Sequence, residues 1–153
     1  MHRIVAIKAI DWILYNLPAL RAQIDDIETQ NSTSLVILGQ NVKSKNSSVE
    51  RVAVKRAAIS AVLDAVERSI KSLHPEQRKI YRMKYRAGMS YKQIGRKLYI
   101  SEETVGRRLT EIRAIITQYV QQVSKSELKE FQHYFNHETD GFLTPKKSLE
   151  TMK

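Results

Sequence analysis

Four side chains of this 153-residue chain have types and spacing suited to the edges of base pairs: Glu102, Glu103, Arg107 and Thr110. On a helix they share one face, because Val105, Leu109 and Ile112 fall on the other at intervals of four and three. The guanidinium fork of Arg107 matches the two acceptors of a guanine in the major groove, and a carboxylate such as Glu103 accepts from a cytosine amine. A second set supplies donors for phosphate oxygens: Ser90, Tyr91, Lys92, Arg96, Lys97, Ser101, Arg108 and Arg113. Such contacts position a protein on a duplex without specifying a sequence. Glu102 and Glu103 have a second reading as acids in a first helical turn, where the helix dipole stabilises them. Gly106 lies on the same outward face. It removes bulk where the helix must approach a groove, at a cost of about 1 kcal/mol of helix propensity relative to Ala.

The elements that must hold these groups are legible in the same segment. Ser90 followed by Gln93 is a capping box, and Ile94 and Leu98 lie four apart behind it. Gly95 lets a second helix cross closely, Tyr99-Ile100 make a turn, and Ser101 caps the next helix. Two helices joined by a three- to four-residue turn, the second basic, form a helix-turn-helix. Charge agrees. The chain carries 26 Lys+Arg against 16 Asp+Glu, a net +10, and Arg78–Arg113 holds eleven bases and three acids, a net +8. A basic balance this size points to a polyanion, and its confinement to one segment makes it a patch.

The rest of the chain excludes other classes. With no cysteine there is no disulfide, thiolate zinc site or cysteine nucleophile. There is no apolar run of 18 residues and no cleavable leader, so the expectation is an intracellular, cytoplasmic protein with no membrane partner. No phosphate loop, nucleophile elbow or buried carboxylate pair is present, and His133 and His137 lack a third ligand, so neither an enzyme nor a cofactor nor a metal site is expected.

An all-α fold in three parts is expected. In the N-terminal helical region, 1–73, the residues Ile10, Ile13, Leu17, Leu20, Ile24 and Ile27 make one seam, and Pro18 should kink that helix or start a second near Leu17. Residues 30–48 read as a polar connector, with Leu35–Leu38 too brief for a helix. A helix over 48–73 starts at Ser48 as N-cap and carries Val49, Val52, Ile59, Leu63, Val66, Ile70 and Leu73, with Arg56 interrupting the seam. Two such helices imply a hairpin, a dimer seam, or both. His74-Pro75 then opens the DNA-binding part, 74–124, with a helix to about residue 87 that Gly88 stops. Residues 125–153 hold a short amphipathic helix, with Leu128, Phe131 and Phe135, and a flexible tail from Asn136.

The helix-turn-helix resembles that of sigma-factor region 4, whose pattern I-A-x-x-L-G-I-S-x-x-T-V-x-x-x-L stands here as Ile94 through Val105 with Leu109. Gly95 replaces the usual Ala and Tyr99 the usual turn Gly. The resemblance implies that Glu102, Glu103 and Arg107 face bases. The block Leu14–Ile24, with Leu14, Tyr15, Asn16 and Pro18, the connector and the helix from Val49 are similar to phage transcriptional regulators of the RinA/ArpU type. That resemblance implies a sequence-specific activator of late genes on double-stranded DNA. Its N-terminal helices would contact host RNA polymerase or form a homodimer or higher oligomer. A phage small terminase subunit that recognises packaging-site DNA is the alternative, and a ring of about eight or more copies would favour it. A complete sigma factor and an interaction module with an incidental basic face are further rivals.

Overall fold

The computed structural model describes the backbone of residues 7–37 and 42–138, and the side chains of 9–26 and 49–136. Six α-helices follow one another: α1 (Ile7–Ile37), α2 (Val42–Ser72), α3 (Pro75–Tyr81), α4 (Tyr91–Leu98), α5 (Glu102–Gln121) and α6 (Lys125–Glu138), with a π-helical turn at Arg82–Arg86 continuing α3. The fold is all-α, and no strand occurs among the described residues.

The N-terminal seam packs as its spacing requires. Ile10, Ile13, Leu17, Leu20 and Ile24 of α1 are buried, and so are Ile59, Leu63, Val66 and Leu73 of α2. Arg21 donates to Glu67 Oε1 at 2.6 Å and to Asp64 Oδ1 at 2.5 Å, and Leu17 and Ile70 line a common cleft. Later residues of α1 therefore meet earlier residues of α2, and the two helices form an antiparallel hairpin. The paired carboxylates, Glu67 first, outweigh the cost of burial and hold the Arg21 guanidinium above its ordinary pKa.

Three expectations about this hairpin need correction. The polar connector at 30–48 is helical to Ile37 and again from Val42, which leaves only 38–41 between helices, outside the described residues. Leu35–Ile37 accordingly prolong α1, and Ser48 lies inside α2 instead of capping it. Polar residues cost a helix only about 0.5 kcal/mol each, and propagation is favourable once a long helix is nucleated. Between 30 and 48 the one strong breaker is Gly39. Of the two outcomes expected at Pro18, a second helix starting near Leu17 does not occur, because α1 runs through it. A proline at 18 cannot donate to the carbonyl of Leu14 one turn back. That carbonyl instead accepts from Arg86 Nη1 at 2.9 Å, a donor reaching in from the π turn.

His74 and Pro75 start α3 as expected, with His74 N–H donating to Gln77 Oε1 at 3.0 Å. The π turn is closed by Ala87 N–H to Arg82 C=O at 2.9 Å, and it buries both Met83 and Tyr85. Gly88 follows with φ +68, the left-handed stop that glycine supplies without strain. The helix expected near 125–136 is α6, whose Leu128, Phe131 and Phe135 are buried against α2 and α1. Trp12 of α1 meets Phe135 edge-on at 5.2 Å, and Tyr134 donates to Gln23 at 2.6 Å. The tail expected from Asn136 is still helical to Glu138, and residues 139–153 lie outside the described residues. One apolar core runs through all of this. Buried side chains of α1, α2, α3, α4, α5 and α6 belong to it, so it is continuous across the boundary at 73/74.

A polar cluster ties α1 to the helix-turn-helix. Arg113 of α5 donates from Nε to Asp11 Oδ1 at 2.9 Å and to the Tyr85 hydroxyl at 3.1 Å, and from Nη2 to the Tyr91 hydroxyl at 3.3 Å. Tyr85 donates to the same Asp11 oxygen at 2.7 Å. Burial first, then its bond to Asp11, pushes the Tyr85 hydroxyl well above the ordinary tyrosine pKa. For Arg113 burial works against the charge, but the hydroxyls and Asp11 overcome it and the guanidinium stays raised. Removing the carboxylate leaves a largely buried cation without its counter-charge. Asp11→Ala should therefore lower unfolding stability in urea by about 1–3 kcal/mol. Glu130→Ala, on the exposed side of α6, should stay within about 0.5 kcal/mol. Equal losses from the two would remove the cluster from the account of stability.

Candidate nucleic-acid interface

The two helices of the motif are set by their caps. Ser90 Oγ accepts from Gln93 N–H at 3.1 Å, and Gln93 Oε1 accepts from Ser90 N–H at 2.9 Å, the reciprocal box that its spacing predicts. Ser101 Oγ accepts from Thr104 N–H at 3.1 Å and starts α5. Behind them Ile94, Val105, Leu109 and Ile112 are fully buried, whereas Leu98 and Ile100 are half-buried.

The turn between the helices has a physical arrangement that the sequence pattern hid. Tyr99 adopts the left-handed conformation at φ 58, ψ 43, as a C-cap in place of glycine, and its side chain is 94% exposed. Ile100 N–H closes the turn onto Gly95 C=O at 3.0 Å. A Cβ on Gly95 would lie 2.6 Å from the Ile100 carbonyl oxygen. Gly95 is thus required by the backbone of the turn, and not by the crossing of α5 as expected. Gly106 differs: a Cβ there would meet only the Tyr91 ring, at an ordinary 3.5 Å.

Glu102, Glu103, Arg107 and Thr110 are all exposed on α5. Among the described residues no ion pair engages Glu102, Glu103 or Arg107, and the one contact of Arg107 is a long 3.4 Å bond to Thr104 Oγ1. Thr110 Oγ1 donates to the Gly106 carbonyl at 2.9 Å, which leaves its lone pairs outward. Ser90, Lys92, Arg96, Lys97, Ser101 and Arg108 are exposed around this face, Arg108 within 3.7 Å of Glu111. Arg113 and Tyr91 are not part of that surface. Arg113 has a side chain only 18% exposed and turns inward to Asp11, Tyr85 and Tyr91. Tyr91 is half-buried beneath Gly106, with Lys84 Nζ 5.2 Å from its ring centroid. The two brace α5 from behind.

Residues 63–116 match the family model described as Sigma-70, region 4. The segment is a sigma region 4-like, DNA-binding helix-turn-helix. The match begins within α2, ahead of His74, and runs through α3, the π turn, α4 and most of α5. Comparisons with curated proteins and with solved structures return no match. His133, half of the histidine pair set aside in the sequence, is exposed on α6, and the side chain of His137 lies outside the described residues. From the sequence alone, Arg78, Arg82 and Arg86 have no role beyond charge. Their proximity to α1 is a tertiary fact for which the local sequence carries no signal.

The two glycines should respond in opposite directions. Gly95→Ala forces a methyl against a backbone oxygen and should destabilise the chain by about 1–3 kcal/mol. Gly106→Ala makes an ordinary van der Waals contact with the Tyr91 ring and should stabilise it by up to about 1 kcal/mol. Tyr99→Gly relieves the left-handed backbone and should add up to about 1 kcal/mol. Thermal and urea melts of the three variants check these signs.

Proposed function

We propose that this protein is a sequence-specific regulator of transcription that binds double-stranded DNA with α5 in the major groove. The observation that carries this reading is the exposed row Glu102, Glu103, Arg107 and Thr110, left without ion pairs among the described residues on the outer face of a helix whose inner face is buried. Arg107 reads a guanine and Glu103 a cytosine amine. Lys92, Arg96, Lys97 and Arg108 hold phosphates, helped by the amide groups at the N-terminus of α4 beside Ser90 and of α5 beside Ser101. Arg113 and Tyr91 keep α5 in place and make no phosphate contact.

The biological role we infer is activation of phage late genes inside a bacterial host cell, without catalysis. It rests on the similarity of Leu14–Ile24 and the helix after it to regulators of the RinA/ArpU type. The hairpin and α6 are the surfaces left for host RNA polymerase or for a second copy.

Selection of bound sequences from random DNA, followed by anisotropy titration of the selected site, tests the DNA-binding reading. Affinity should fall steeply with salt, with a log–log slope of several units. Arg107→Ala should cost about 1–3 kcal/mol on the selected site and relax one base position. Lys97→Ala should weaken all sequences alike and reduce the slope by about 1. Binding indifferent to salt, or specificity unchanged by Arg107→Ala, defeats the proposal. For the role, the chain should raise run-off transcription by host polymerase from a promoter beside the selected site. A large ring with no effect on transcription would instead place it in packaging.

A further inference from the structure

A cleft of about 450 Å³ opens where the N-terminal hairpin meets α3 and the π turn, with no residue of α4 or α5 in its walls. Its apolar surface comes from Leu17 and Pro18 of α1, Ile70 of α2 and Tyr81 of α3. Five basic side chains and one acid surround that surface. Two of the bases are already engaged. Arg21 is held by Glu67 and Asp64, and Arg86 donates to Leu14 C=O, Tyr85 C=O and the Tyr81 hydroxyl. Lys71, Arg78 and Arg82 have no ion-pair partner among the described residues, and the only carboxylate in the walls, Glu67, is already paired with Arg21.

Arg78 is the telling member. Its Nε is buried and has no hydrogen-bond acceptor. That nitrogen is closed to an occupant of the cleft, so an incoming carboxylate meets Arg78 through its terminal nitrogens, on which it forms two parallel, charge-assisted bonds. A bare anion would satisfy Arg78 and leave the apolar walls wet. A neutral apolar molecule would do the reverse. The cleft volume lies in the range of small-molecule sites, about 300–1,000 Å³.

We propose that this cleft binds a small amphipathic carboxylate, with its apolar body against Pro18, Ile70 and Tyr81 and its carboxylate on Arg78, flanked by Lys71 and Arg82. The site is separate from the DNA-reading face. Because its walls come from both α1 and α3, an occupant holds the hairpin to the helix-turn-helix.

The test titrates 1-naphthoate, 1-naphthalenemethanol and inorganic phosphate into the full chain, read by amide shifts in two-dimensional NMR. 1-Naphthoate should give saturable shifts at Ile70, Lys71, Tyr81 and Arg82 and raise the melting temperature. Arg78→Gln should weaken its binding about tenfold or more, as the loss of a paired charge-assisted contact predicts. Arg82→Gln, at an exposed residue that the fold does not need, should weaken it several-fold and carries the test if Arg78→Gln unfolds. Arg107→Ala should leave it unchanged even as DNA specificity is lost, so failure here and failure of the DNA-binding reading remain distinguishable. Equal binding of 1-naphthalenemethanol would reduce the site to an apolar dent. Equal binding of phosphate would reduce it to a cationic surface. Either result overturns the proposal, as do shifts confined to α4 and α5 or none at millimolar probe.

Discussion

The bond between Asp11 and Arg113 fixes where the rest of the molecule can be. A guanidinium with so little exposure must be paired, and its partner carboxylate stands at the start of the chain's first long helix. Tyr85 and Tyr91 complete the cluster from the π turn and from α4. Four elements are therefore held at one point beside α5. Arg86 repeats the device nearby, supplying the donor that Pro18 withholds from Leu14. In both cases a polar group that would be costly if left alone joins the N-terminal hairpin to the DNA-binding part. The continuous apolar core then fills the space between them.

This arrangement divides the basic segment. As a count, Arg78–Arg113 is a single +8 patch. In the fold, Arg113 is internal, Arg78, Arg82 and Arg86 face α1 and α2, and Lys92, Arg96, Lys97, Arg107 and Arg108 remain around the motif. Long basic side chains carry their charge several ångströms from the backbone, so their sequence neighbours do not determine what they face. The basic surface around the motif is correspondingly narrower than the composition implies.

Local sequence predicts structure where one physical rule dominates. Ser90, Ser101 and His74-Pro75 begin helices because their side chains or ring suit the orphan amides of a first turn. Val105, Leu109 and Ile112 are buried because helical spacing puts them on one side. Reading failed where weak local preferences met a cooperative element. Asn, Ser and Thr at 30–48 disfavour a helix slightly, yet α1 and α2 extend across most of that stretch. Gly95 in the pattern signals a close approach, but the atom that approaches belongs to the turn and not to the next helix.

The all-α class, the caps and inner faces of the helix-turn-helix, and the row of side chains that α5 turns outward are legible in the residues alone. Each follows from hydrogen bonding within one turn or from a period of 3.6 residues, which are properties of adjacent residues. That the two long helices form a hairpin, that Arg113 turns inward, and that Arg78, Arg82 and Arg86 border a cleft are outcomes of packing. Those outcomes depend on which buried polar groups find partners across separations such as the 102 residues from Asp11 to Arg113. Pairing at that range is set by the packed core as a whole.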